Sequence, residues 1–117
     1  MLKKLGLIAI FSLFISLSFA ATSCLKAKPT NDPLFCASFK SVAKCHCVEF
    51  GLPSGMCEDM NQLYWRIVAM YGSLEQACKR QHETSAQDCM DNWHCFRDGG
   101  MDSQGRICSS NYSSCPV

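Results

Sequence analysis

Ten cysteines in 117 residues constrain this chain more than any other feature, because they follow an N-terminal export signature. Met1-Leu2-Lys3-Lys4 is a positive n-region, residues 5–19 are apolar or small, and Ser18-Phe19-Ala20 places small residues where a signal peptidase reads. Cleavage is expected after Ala20. An apolar stretch of about 15 residues is shorter than the roughly 20 a spanning helix needs, so removal is expected over anchoring. Exported thiols meet an oxidising compartment and pair.

A second processing route is written in Ala21-Thr22-Ser23-Cys24, which loosely resembles a bacterial lipobox, with Ala21 where Leu is usual. Lipidation of Cys24 would leave nine thiols, an odd set with one unpaired, whereas ordinary cleavage leaves an even ten. Parity therefore favours ordinary secretion. The remaining chain, about 97 residues, has the length of one domain, and cysteine is about a tenth of it, the level of a disulfide scaffold. A core this small is marginal without staples, and each native bridge in such a domain contributes about 2–5 kcal/mol.

Charge excludes some partners. Without Lys3 and Lys4, nine basic side chains face ten acidic ones and no basic stripe remains. Nucleic acid, which needs clustered Lys and Arg to displace counterions, is not an expected partner. Membrane association is expected only through a partner protein or a lipid on Cys24.

The expected fold is mainly α: a small disulfide-stapled domain of about four short helices, with an irregular C-terminal tail pinned by bridges. After the signal at 1–20, a single domain at 21–117 divides into an extended arm (21–31), a helical body (32–98) and a loop and tail (99–117). Asp32-Pro33 opens a helix and Gly51 with Pro53 stops it, giving a helix over 33–50. At 100° per residue Cys36, Phe39, Ala43, Cys47 and Phe50 fall within about 80° of one another, one buried stripe, while Cys45 points away and is expected to tie the Cys24 arm or the C-terminal tail to the outer face. Ser54 starts a second helix over 55–71, with Glu58 and Asp59 in its first turn and Gly72 as its stop. Ser73-Leu74-Glu75-Gln76 is a capping box for a third, ending near His82. Thr84-Ser85 opens a fourth, ending near Phe96 ahead of Gly99-Gly100. The tail beyond would be disordered unless Cys108 and Cys115 held it.

All ten cysteines, Cys24, Cys36, Cys45, Cys47, Cys57, Cys78, Cys89, Cys95, Cys108 and Cys115, are expected in bridges. An antiparallel first pair of helices favours Cys47 with Cys57 and carries Cys36 toward Cys78. Cys89 and Cys95 are the expected anchors for Cys108 and Cys115, and Cys24 with Cys45 completes the set. This is one choice among about 945.

Chemistry-bearing motifs are weak. Cys45-His46-Cys47, Cys57 and His94-Cys95 contain metal-ligand types, but the spacing is not the Cys-x2-Cys of zinc knuckles and bridging consumes thiols. Met56 and Met60 read as core. No Cys-x-x-Cys redox pair, no Gly-x-Ser-x-Gly elbow and no His-Glu-x-x-His helix occurs. The acids of Asp98 to Gly105 are spaced by four where a calcium loop spaces them by two, and that stretch reads as a helix exit and turn. No catalytic residue, metal or cofactor is expected. Asn111-Tyr112-Ser113 is a glycosylation sequon.

The stretch Cys47-Val48-Glu49-Phe50-Gly51-Leu52-Pro53-Ser54-Gly55-Met56-Cys57, followed by Tyr64-Trp65-Arg66-Ile67-Val68 and Cys78, resembles the core of the TrbM-type conjugal transfer proteins. Those are small, exported, cysteine-rich accessories of type IV secretion. The match covers about a third of the mature chain, and the tail from Trp93 to Cys115 has no counterpart in it. The resemblance implies a periplasmic or outer-membrane-associated component that meets protein partners in the cell envelope. Tyr64, Trp65 and Trp93 are the expected partner-binding residues, since aromatic side chains often carry interface energy. The other readings are a freely secreted ligand, an effector or small hydrolase with a hidden site, and a lipoprotein with redox or metal chemistry.

The intact mass of the native protein, alkylated without reduction, separates these routes. The expected mass is that of residues 21–117 less ten hydrogens, with no alkyl adduct. A species beginning at Cys24 with acyl chains and one alkylated thiol would establish a lipoprotein instead.

Overall fold

The computed structural model describes residues 24–117, and the export signature at 1–20 lies outside them. The described chain is five α-helices and one short 3-10 turn, in the order α1 (Phe35–Glu49), α2 (Ser54–Glu58), α3 (Met60–Tyr71), α4 (Leu74–Arg80) and α5 (Ala86–Arg97), then Cys108–Ser110. Among the described residues the only β pairing is an isolated antiparallel bridge between Met101 and Ile107.

Local chemistry sets most boundaries. Asp32 Oδ1 accepts from the Leu34 amide at 2.8 Å, so Asp32-Pro33 makes a turn and α1 begins two residues later than its proline suggested. Gly51, at φ 73°, closes the segment. Ser73 Oγ accepts from the Gln76 amide at 3.1 Å and Ser85 Oγ from the Asp88 amide at 3.0 Å, each satisfying an orphan donor of the first turn. Gly72 ends α3 at φ 89°. Between α4 and α5 the Gln81 side chain donates to the carbonyls of Cys78 and Thr84 and accepts from the Thr84 amide, which closes the turn.

The expected single helix over 55–71 is instead two. Asp59 is extended (φ −107°, ψ 105°), and its Oδ1 accepts from the amides of Asn61 and Gln62 at 3.0 and 3.1 Å. A short carboxylate that bonds its own downstream backbone prefers a cap to a helix interior, so Asp59 breaks the helix and restarts it.

Five bridges staple these elements: Cys24–Cys45, Cys36–Cys115, Cys47–Cys57, Cys78–Cys89 and Cys95–Cys108. Cys24–Cys45, Cys47–Cys57 and the anchoring of the tail through Cys95 agree with the sequence reading. Cys36 with Cys78 and Cys89 as a tail anchor do not. Because α4 and α5 fold back on each other at Gln81, Cys78 meets Cys89 only 11 residues on, and Cys36 is left to the tail, 79 residues away.

Phe39 centres the interior. Its ring stacks on Phe35 at 5.6 Å, meets Trp93 edge-on at 4.9 Å and tilts against Phe96 at 5.6 Å, tying α1 to α5. The expected stripe on α1 holds at Phe39, Ala43 and Cys47, but Phe35 replaces Phe50, which is 58% exposed and lies one residue beyond the end of the helix, ahead of the turn at Gly51. The tail lies against α5, with Cys115 N donating to Phe96 O at 2.9 Å and Gly100 N to Tyr112 O at 2.7 Å. Gly99 makes this approach possible. A Cβ there would stand 2.5 Å from Tyr112 O and 2.6 Å from Ser114 N, whereas one at Gly100 would meet nothing within 4 Å.

Both glycines are left-handed, at φ 72° and 82°, so the pair separates backbone strain from steric exclusion. Gly100→Ala should cost about 1–2 kcal/mol, the ordinary penalty of that conformation, and Gly99→Ala about 2 kcal/mol more through overpacking. Urea unfolding of the two oxidised variants checks this; equal losses would mean the tail moves aside freely.

Candidate functional site

The arm before α1 is a strap held at both ends. At one end Cys24 is buried and bridged to Cys45 on the outer side of α1. At the other, Thr30 is 1% exposed; its Oγ1 donates to Asp102 Oδ2 at 2.7 Å and its carbonyl accepts from Ser109 N at 2.6 Å. Between them the Lys28 amide donates to Ser38 Oγ at 2.8 Å. Residues 25–30 thereby form one wall of a groove.

Asp102 is the polar anchor of this end. Besides Thr30 it accepts from the amides of Gln104 and Arg106, both at 2.9 Å, and from Arg106 Nε at 2.6 Å. The turn it organises is sewn to α5, where Asp91 accepts from Ser103 N and Oγ, and Asp88 from Gln104 Nε2. Burial alone would raise the Asp102 pKa, but the hydrogen bonds from Thr30, Arg106 and Gln104 outweigh it and hold the carboxyl at about 2.

The groove has a volume of about 290 Å³. Its floor is buried and apolar, with Phe39 and Ala43 from α1, Leu63 from α3, Ala77 from α4 and Trp93 from α5. The rim is exposed and mixed, with apolar Leu25 and Phe50 beside the cations of Lys26, Lys28 and Arg80.

Near the rim, one ligand atom from each of His46, Glu49 and Glu83 lies within 4.8 Å of the others, a donor set that a divalent cation can use. His46 Nδ1 stands 3.7 Å from Glu49 Oε2. Partial burial works to raise the Glu83 pKa, but the amides of Glu83 and His82 and the imidazoles of His46 and His82 outweigh it and lower it. Cys24, Cys45 and Glu49 also converge, yet both sulfurs are committed to a bridge. Sequence spacing hid the triad, because Glu83 reaches α1 only through the α4–α5 turn.

The three aromatic residues expected at a partner surface separate here. Trp93 is 5% exposed and packs against Phe39 and Tyr64; it belongs to the core, and its assignment to a partner surface is corrected. Its helical phase on α5 was compatible with either role. Trp65 is 60% exposed and Tyr64 half-buried. The Arg97 guanidinium, missed as a site residue, lies 3.7 Å from the Tyr64 ring centroid and 5.2 Å from that of Trp65. The result is an aromatic and cationic face on α3 and α5.

All ten cysteines are paired, the state of an oxidising, non-cytoplasmic compartment. No helix among the described residues is long and apolar enough to cross a membrane. No family model matches the chain, nor does any curated protein or solved structure.

Asp102 has a folded pKa of about 2 against an ordinary 3.8, so its stabilisation is complete above pH 3.8 and is lost as pH falls through 2. The full effect is about 2 kcal/mol. Urea unfolding at pH 6 and pH 2 should show that loss, and Asp102→Asn should reduce the difference between the two.

Proposed function

We propose that this chain is a non-enzymatic interaction module of the bacterial cell envelope, an accessory of a type IV secretion or conjugation machine, located in the periplasm or at the outer membrane. The observation that carries the reading is Trp65. A large aromatic ring 60% exposed on α3, with Arg97 beside it at 5.2 Å, is the residue chemistry of interface hot spots, which are enriched in Trp, Tyr and Arg. Tyr64 links this face to the core by packing on Trp93 at 5.5 Å, so the surface is presented by a rigid scaffold with little left to order on binding.

The likeness of Cys47 to Cys78 to TrbM-type conjugal transfer proteins supports the choice of machine, and the paired cysteines support an oxidising envelope. Attachment to a membrane follows from the partner in this reading. A freely secreted effector would be found in the culture supernatant instead.

Affinity isolation of the tagged full chain from its native envelope, after crosslinking, should recover a defined larger assembly. Trp65→Ala should weaken that recovery at least tenfold while leaving the melting curve unchanged. Trp93→Ala should instead cost about 3–5 kcal/mol of stability as a core truncation. Elution of the native protein as a lone monomer would sink the proposal.

A further inference from the structure

The groove under the strap joins two features that a single class of small molecule would satisfy. Its floor is apolar and buried, and its volume of about 290 Å³ is at the lower end of small-ligand cavities. At about 30 Å³ per group, close to the share of a water in the liquid, it accommodates about ten methylene-sized units. Its lining also carries four basic side chains, Lys26, Lys28, Arg80 and Arg106, against two acidic ones, Glu83 and Asp88. The described chain as a whole has nine basic against ten acidic, so positive charge is concentrated here.

The cations differ in availability. Arg106 is engaged by Asp102 and Asp88, and Arg80 lies over the Tyr71 ring at 5.7 Å. Among the described residues Lys26 and Lys28 have no ion-pair partner. Both stand on the strap, on the exposed side of the groove. An apolar floor with unpaired ammonium groups on the strap above it matches an anionic head on a single alkyl chain. We propose that the groove binds a free fatty acid of about ten to twelve carbons, its chain over Phe39, Leu63 and Trp93 and its carboxylate toward Lys26 and Lys28. This site is separate from the Trp65 face, and the two stand or fall independently.

Titration calorimetry of the oxidised protein with a series of saturated carboxylates from six to fourteen carbons, each below its micelle concentration, tests it. Affinity should rise about fourfold per added methylene, the fold-change expected for burying one such group, and flatten at ten to twelve carbons where the groove is full. Lys26→Glu with Lys28→Glu should weaken dodecanoate about tenfold and leave dodecanol unchanged. Val42→Trp, which fills the groove from a half-buried position on α1, should abolish uptake of both. Native mass and melting curve serve as controls for the fold of each variant. Affinity that does not depend on chain length overturns the proposal. So does dodecanoate binding that survives both sets of variants in folded protein, or a concentration-dependent dimer that takes up no carboxylate.

Discussion

Disulfide-bonded cysteines are nearly half of the buried apolar side chains among the described residues, and the rest of the structure depends on them. Of fifteen buried apolar side chains among the described residues, seven are cysteines in bridges, and the aromatic cluster of Phe35, Phe39, Trp93 and Phe96 fills most of what remains. A chain of this size buries too little hydrocarbon to offset the entropy of ordering five short helices. The bridges meet that deficit twice, by restricting the unfolded chain and by filling core volume. Reduction would remove the crosslinks and force each pair of buried sulfurs apart from bonding to van der Waals distance, which makes the oxidising compartment a condition of the fold.

The parts of this architecture legible in the sequence are those whose cause is local. Ser73 and Ser85 cap helices, and Gly51 and Gly72 end them, because each acts on backbone groups within a few residues of itself. Cys47–Cys57 was readable from the short connection between consecutive helices, whereas the outward side of Cys45 left the Cys24 arm and the C-terminal tail both open, and Cys24–Cys45 followed only as the remaining pair. The same short-connection argument applies to Cys78 and Cys89, but the antiparallel arrangement of the first helices, which puts Cys36 at the far end of the pair, drew Cys78 away from its neighbour. Cys36–Cys115 was not readable, since it depends on the tail turning back over Gly99, and that path is set by contacts with α5.

The candidate site divides in the same way. Trp65 and Tyr64 were visible as aromatic residues on the best amphipathic segment, but burial separates Trp65 from Trp93, and periodicity alone does not. Arg97, Glu83 and the strap lysines drew no attention because each matters through a neighbour distant in sequence. The groove exists because Cys24–Cys45 and the hydrogen bonds of Lys28 and Thr30 hold residues 25–30 against the helices and the tail.

The connectivity of the bridges carries a consequence for how the chain can be made. Setting Cys36 and Cys115 aside, the other eight cysteines pair strictly with the next in line: 24 with 45, 47 with 57, 78 with 89, 95 with 108. An oxidant joining thiols in order of their appearance would produce these four without error, were it not for Cys36, which lies inside the first loop and belongs to the last cysteine of the chain. Cys36 cannot form its native bridge until Cys115 is available. Its bridge thus reports the arrival of the tail, since a chain cut between residues 108 and 115 keeps nine cysteines and displays the Cys36 thiol to the quality control of its compartment.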